Sequence, residues 1–171
     1  IWLLDHQPGA NRRSFSQSLS TSAGVNRLSA SRLFLFCSRD IWFVVALPVF
    51  LQSQLGWSPV QVGSLMASWV IIYGAIQVLA PKITGTSVPG GRTLYFWAAL
   101  LTLLPCGIAL ALKSGVDAGL VLIIGLLIFG AVFAINSSVH SYLILALARR
   151  ESASLDVGFY YMANAGGRLL G

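Results

Sequence analysis

"AGLVLIIGLLIFGAVFAINSSVHSYLILALA", residues 118–148, runs for 31 positions without an Asp, Glu, Lys or Arg. A bilayer core about 30 Å thick is crossed by roughly 20 residues of helix. The stretch therefore spans, with length left to tilt or project beyond the bilayer. The pattern repeats on either side. Apolar segments of spanning length are expected at about 33–55, 60–80 and 93–112, and another begins near Val157 and continues to Gly171. The links between them are short: "LGWSP" (55–59), "KITGTSVPGGR" (82–92), "KSGVD" (113–117) and "RRESASLD" (149–156). Pro59 suits the first turn of a new helix, and Pro81 marks the end of the preceding one.

Composition agrees. The chain is 56% hydrophobic and 9% charged, where soluble domains carry roughly 25% charged residues. So few polar side chains cannot cover several consecutive helices with water-facing surface. The expected fold class is an all-α integral membrane protein. The net charge of +6 does not indicate nucleic acid, because the basic residues form short clusters between apolar runs rather than a solvated stripe. Arg12, Arg13, Arg27, Arg32, Lys82, Arg92, Arg149 and Arg150 fall on one side of the predicted spans, and Lys113 alone on the other. Basic loops stay in the cytoplasm, so "LGWSP" and "KSGVD" are expected to face outward.

Residues 1–27 differ from the rest. "DHQPGANRRSFSQSLSTSAGVNR" is rich in Ser, Asn, Gln and Gly and reads as a cytoplasmic linker, with "IWLL" before it as the tail of a preceding span. The division expected is 1–27 linker and 28–171 helical membrane unit. A first residue Ile1 and a last residue Gly171 inside an apolar pattern suggest a piece of a longer protein.

Polar groups inside the spans are the candidate functional residues, because charges there cost free energy. In "CSRDIWFVV" (37–45), Arg39 and Asp40 are neighbours, pointing about 100° apart around a helix. They are expected to look toward other helices, a cavity or water rather than to each other. Arg39 is either an anion contact or an inter-helix anchor. Arg168 lies further into its span, where arginine costs about 2.5–3.5 kcal/mol. It either binds an anion or pairs structurally, with Asp40 as the conceivable partner. Asn136 and His140, four apart, share a helical face. They either hydrogen-bond between helices or line a path, with His140 as a possible proton carrier. Tyr160, Asn164 and the pair Gly166–Gly167 sit together in the final segment; Tyr160 and Tyr161 are substrate contacts or interface aromatics.

Cys37 and Cys106 both fall in apolar runs and are expected to pack as small hydrophobes. No nucleophile–base arrangement, metal-ligand spacing or phosphate loop appears in the sequence; "GGR" at 90–92 lacks the Lys-Ser/Thr of a P-loop. The expectation is no enzyme, no cofactor and no metal. An intramembrane enzyme using His140 and Asp40 is disfavoured, and a non-transporting membrane scaffold is the alternative of another class.

"LGWSPVQVGSL" (55–65) resembles the outer turn between paired helices of the major facilitator superfamily. "GAIQVLAPKITGTSVPGGRT" (74–93) resembles a degenerate copy of its cytoplasmic loop signature: Gly74 and Gly91-Arg92 are present, while Lys82 follows Pro81 where an acidic-basic pair is the pattern. "SRDIWFVVALPVFL" (38–51), "NSSVHSYLILALA" (136–148) and "VGFYYMANAGGRLLG" (157–171) together resemble the organoarsenical efflux permeases of that superfamily. The resemblance implies helices seven to eleven of a twelve-helix exporter, with the N-terminal half of the same protein absent. It implies efflux of the small anion 1-arseno-3-phosphoglycerate across the inner (plasma) membrane and a functional link to a glyceraldehyde-3-phosphate dehydrogenase. Arg168, Arg39, Asn136, His140, Tyr160 and Asn164 are then the candidate substrate contacts, and Asp40 a structural ion pair or helix link. A carrier of another small anion, sugar phosphate or drug remains the alternative within transport.

Overall fold

The computed structural model describes residues 22–85, 88–148 and 153–171. These residues are helical apart from the short links between helices, with no strand among them. Helix α1 (Ala23–Asp40) passes without a break into a π-helical segment (Ile41–Ala46) and then α2 (Leu47–Ser53); α3 (Pro59–Thr84), α4 (Gly91–Lys113), α5 (Ala118–Leu147) and α6 (Ala153–Leu170) follow. The continuous stretch Ala23–Ser53, α3, α4 and α5 are each long and apolar enough to cross a membrane. The final helix is shorter and carries Asp156, Asn164 and Arg168.

The turns show why the helices begin where they do. The Ser58 hydroxyl accepts from the Gln61 N–H and the Gln61 side chain accepts from the Ser58 N–H, a reciprocal cap reinforced by Pro59. Asp117 accepts from the Leu120 N–H at 2.7 Å and starts α5. Gly56 (φ 66°) and Gly115 (φ 80°) supply the left-handed residue that both tight turns require. The Ser22 hydroxyl caps α1 through the Val25 N–H.

The π-helical segment was not expected. Its cause is local: Pro48 has no N–H to donate to Val44, and its ring crowds that carbonyl. A widened turn absorbs the conflict within the helix, without ending it. Three other expectations are corrected. The first helix starts at Ala23, ten residues before the apolar run expected from about residue 33, so 23–27 are helical. Pro81 lies inside α3, which continues to Thr84. The last helix starts at Ala153 rather than near residue 157. The rest of the expected linker, 1–21, lies outside the described residues, as do Arg12, Arg13, Arg149 and Arg150.

Helix α5 is the axis of the unit. It touches α1, α3, α4 and α6 and is buried along most of one side from Leu122 to Ile144. Helices α1 and α6 lie against each other along their length. Their contacts advance together, Gly167 over Leu33 and Gly171 over Cys37, so the two run parallel. A Cβ at Gly167 would fall inside the Leu33 carbonyl; glycine there permits the close crossing typical of small residues in membranes. The outward sides of α3 and α4 are apolar: Val60, Val78, Leu103 and Leu110 are all more than half exposed. In water such a surface is an aggregation liability; against lipid it is satisfied.

Candidate functional site

A cleft of about 910 Å³ lies between α1, α4 and α5. Its walls are mostly apolar. Its polar lining includes Arg27, Ser31, Ser38 and Arg39 of α1, Tyr95 and Thr102 of α4, and Asn136 and His140 of α5. None of the described residues lining it is Asp or Glu. Asn136 and His140, four residues apart, present a buried amide oxygen and a buried imidazole Nδ1, each without a partner among the described residues. The cleft therefore combines basic and neutral polar groups inside low-dielectric walls, where charge interactions are stronger than in water.

Arg39, Asn136 and His140 thus share one cleft. Tyr160, Asn164 and Arg168, all on α6, do not line it. Tyr160 is fully buried behind α1, and the Asn164 amide oxygen is also buried without a partner. Arg168 stands on the last turn of α6 with 61% of its side chain exposed, its Nε 3.5 Å from Asp40 Oδ2.

Arg39 and Asp40 correct the expectation from their spacing. They form an ion pair of 2.5 Å, both side chains more than nine-tenths buried. The 100° between adjacent positions is bridged because the long arginine side chain curls back, its guanidinium lying 4.7 Å from the Phe36 ring centre and 4.9 Å from that of Phe133. Asp40 also faces Arg168, so one carboxylate serves two guanidinium groups from two helices. The cluster keeps one positive charge in excess.

Arg32 is the residue that sequence reasoning misplaced. Standing just before the expected start of the first span, it counted as a topology signal. It is 3% exposed and sits where α1, α5 and α6 meet. Its Nη1 donates to the Ser137 hydroxyl at 2.8 Å and to the Ser137 carbonyl at 3.2 Å. Its guanidinium lies 4.4 Å from the Phe36 ring centre and 5.2 Å from that of Tyr160. The signal was present: Val25, Leu28, Ser29, Arg32 and Phe36 recur at helical spacing and form the buried side of α1.

On the far side of the unit, aromatic rings pack where α3 meets both α5 and the π-helical segment: the ring centre of Tyr73 of α3 lies 5.9 Å from that of Phe133 of α5, and Phe43 of the π-helical segment faces Trp69 of α3. Phe43 and Trp69 have ring centres 4.4 Å apart, and Trp69 stacks on Tyr73 at 5.3 Å. The Trp69 indole N–H donates to the Leu126 carbonyl at 2.8 Å. Gly130 makes this approach possible, since a Cβ there would stand 2.7 Å from the indole nitrogen.

Among the described residues no group of three or more His, Cys, Asp or Glu is placed to hold a metal ion. No curated protein and no solved structure shows significant similarity to the chain. A family model does: that of the Major Facilitator Superfamily matches residues 3–171. With α1 and α6 parallel, an apolar outer face and a cleft that holds a few basic and neutral polar groups, the chain belongs to that superfamily of membrane transporters, which are not enzymes.

Proposed function

We propose that this protein is a secondary exporter of a small organic anion, and specifically of the phosphorylated organoarsenical 1-arseno-3-phosphoglycerate. The observation that carries the anion reading is the charge balance around α1. Arg39 opens onto a cleft whose described lining holds no carboxylate, and its one carboxylate neighbour is shared with Arg168. Guanidinium groups match carboxylate and phosphate through paired hydrogen bonds. The specific substrate rests on the resemblance of residues 38–51, 136–148 and 157–171 to organoarsenical efflux permeases.

In this reading a cytoplasmic glyceraldehyde-3-phosphate dehydrogenase forms the labile arsenate ester, and the transporter carries it across the inner membrane. Arg39 receives the anion from the cytoplasmic side, Asn136 and His140 hydrogen-bond it, and Arg168, Tyr160 and Asn164 engage it as α6 moves relative to α1. Major facilitator sites lie between the two halves of the protein, so these residues supply one wall of the site.

The test is arsenic efflux from arsenate-loaded cells that express the complete gene product together with such a dehydrogenase. Expression is expected to raise arsenate resistance and lower retained arsenic. Unchanged retention, with the protein present in the membrane, would remove the organoarsenical and leave another small anion or sugar phosphate as the substrate to seek.

A further inference from the structure

We propose that Arg32 and Arg39 form a two-cation receptor for one small anion that carries two separate oxyanion groups, such as a carboxylate and a phosphate. The inference rests on the reading of the protein as an anion exporter. It adds to that reading a residue and a requirement on the substrate.

The two guanidinium groups share a neighbour. Phe36 has Arg32 4.4 Å and Arg39 4.7 Å from its ring centre. Arg32 and Arg39 are seven residues apart, two helical turns, so they project from the same side of α1. Their surroundings leave both short of negative charge. Among the described residues no carboxylate pairs with Arg32, and its Nε is buried without a partner. Asp40, which pairs with Arg39, is divided with Arg168.

An arginine whose task is only to tie helices together in a membrane is normally neutralised by a partner. Arg32 is held instead by a neutral serine and two aromatic faces. These orient a cation without consuming its charge. Ser137, its anchor, lies on α5 beside Asn136 and His140, two residues of the cleft wall whose amide oxygen and imidazole Nδ1 are buried without a partner among the described residues. Arg39 opens directly onto the cleft, whereas Arg32 is closed off in this conformation. The order of engagement follows. The anion meets Arg39 first, and its second charged group reaches Arg32 when α5 shifts against α1 in the transport cycle. A single oxyanion group satisfies one arginine; two groups on one small molecule satisfy both.

The experiment measures binding to the complete gene product in lipid nanodiscs, using 3-phosphoglycerate, which carries carboxylate and phosphate, against glycerol 3-phosphate, which lacks the carboxylate. The wild-type protein is expected to prefer 3-phosphoglycerate by about tenfold or more, and Arg32→Gln to erase that preference. Arg32→Lys keeps the charge but loses the Nε donor and the planar fork, and guards against a variant that fails to insert; its preference should fall by roughly threefold or more. Equal binding of the two probes by the wild type, or an undiminished preference in either variant, would overturn the receptor. Intact preference without arsenic efflux would remove only the organoarsenical reading. Intact efflux with no preference would remove only the receptor.

Discussion

The junction of α1 and α6 with α5 and the seam between α3 and α5 are built from the same helix, but they solve different problems. The α3–α5 seam is apolar and aromatic, with one hydrogen bond from Trp69 to the Leu126 carbonyl fixing its register. The α1–α6 side holds Arg32, Arg39, Arg168, Asp40, Asn136, His140 and Ser137 within a few turns, and α6 buries a second aspartate, Asp156, near its start. Lipid provides no hydrophobic driving force between helices, so association depends on close packing and on polar links. The seam relies on the first and has no charge to lose. The junction carries charges beyond what cohesion needs, and that excess separates a functional surface from a structural one. Mutations should therefore act on the seam through stability alone, and on the junction through stability and transport together.

The largest effect is expected where the junction is tightest. Gly167→Val drives a side chain into the Leu33 backbone carbonyl. Backbone cannot rotate away as a side chain can, so α6 must lift from α1. The expected loss is about 3 kcal/mol or more, read as a collapsed yield of monodisperse protein in detergent. Gly166→Val is the control: a Cβ there meets only the Leu33 side chain at 4.0 Å, and the protein should keep its yield. Equal damage from both would mean that the crossing is not set by Gly167.

The next effect concerns charge. Asp40→Asn leaves Arg39 buried with no counter-ion and Arg168 without its partner. Breaking a buried pair from one side costs roughly 3–5 kcal/mol, reduced here because Arg168 is largely exposed. Membrane abundance and transport should both fall sharply. Arg168→Gln alone should cost much less stability, since Asp40 keeps its shorter contact with Arg39. Adding Arg168→Gln to Asp40→Asn should restore abundance only in part, because Arg39 still lacks its carboxylate. If the double variant transports normally, Arg168 serves only to hold α6 on α1, and the anion contacts lie elsewhere.

The seam and the junction also differed in how readable they were. Apolar runs marked the four long helices, and Pro59 marked the start of one of them, because a proline in the first turn is local chemistry. The junction depended on features that are not local. Arg32 preceded the apolar run, and only the position of α6 and Ser137 makes it interior. The Arg39–Asp40 pair violated a rule about Cβ directions because a long side chain can bend over Phe36. The π-helical segment follows from Pro48 and Val44 once their spacing is considered, but hydropathy alone passes over it. The parallel approach of α6 was legible only as Gly166-Gly167, a small-residue signal whose partner, Leu33, no local pattern names.

The smallest expected effect tests the claim that the seam is structural. Trp69→Phe preserves an aromatic ring against Phe43 and Tyr73 and removes the N–H that meets the Leu126 carbonyl. That carbonyl still receives its helical hydrogen bond from within α5, so no acceptor is orphaned. The loss should be near 1 kcal/mol, the net worth of one neutral hydrogen bond, with a further contribution from the volume of the missing indole ring. Thermal denaturation in detergent should show a fall of a few degrees. Transport rate per molecule and anion preference should not change, because no cleft residue touches the lost group directly. A Trp69→Phe protein with normal stability and altered substrate preference would show that α3 reaches the site through α5. The division between a seam that holds and a junction that binds would then have to be redrawn along the length of α5 rather than around it.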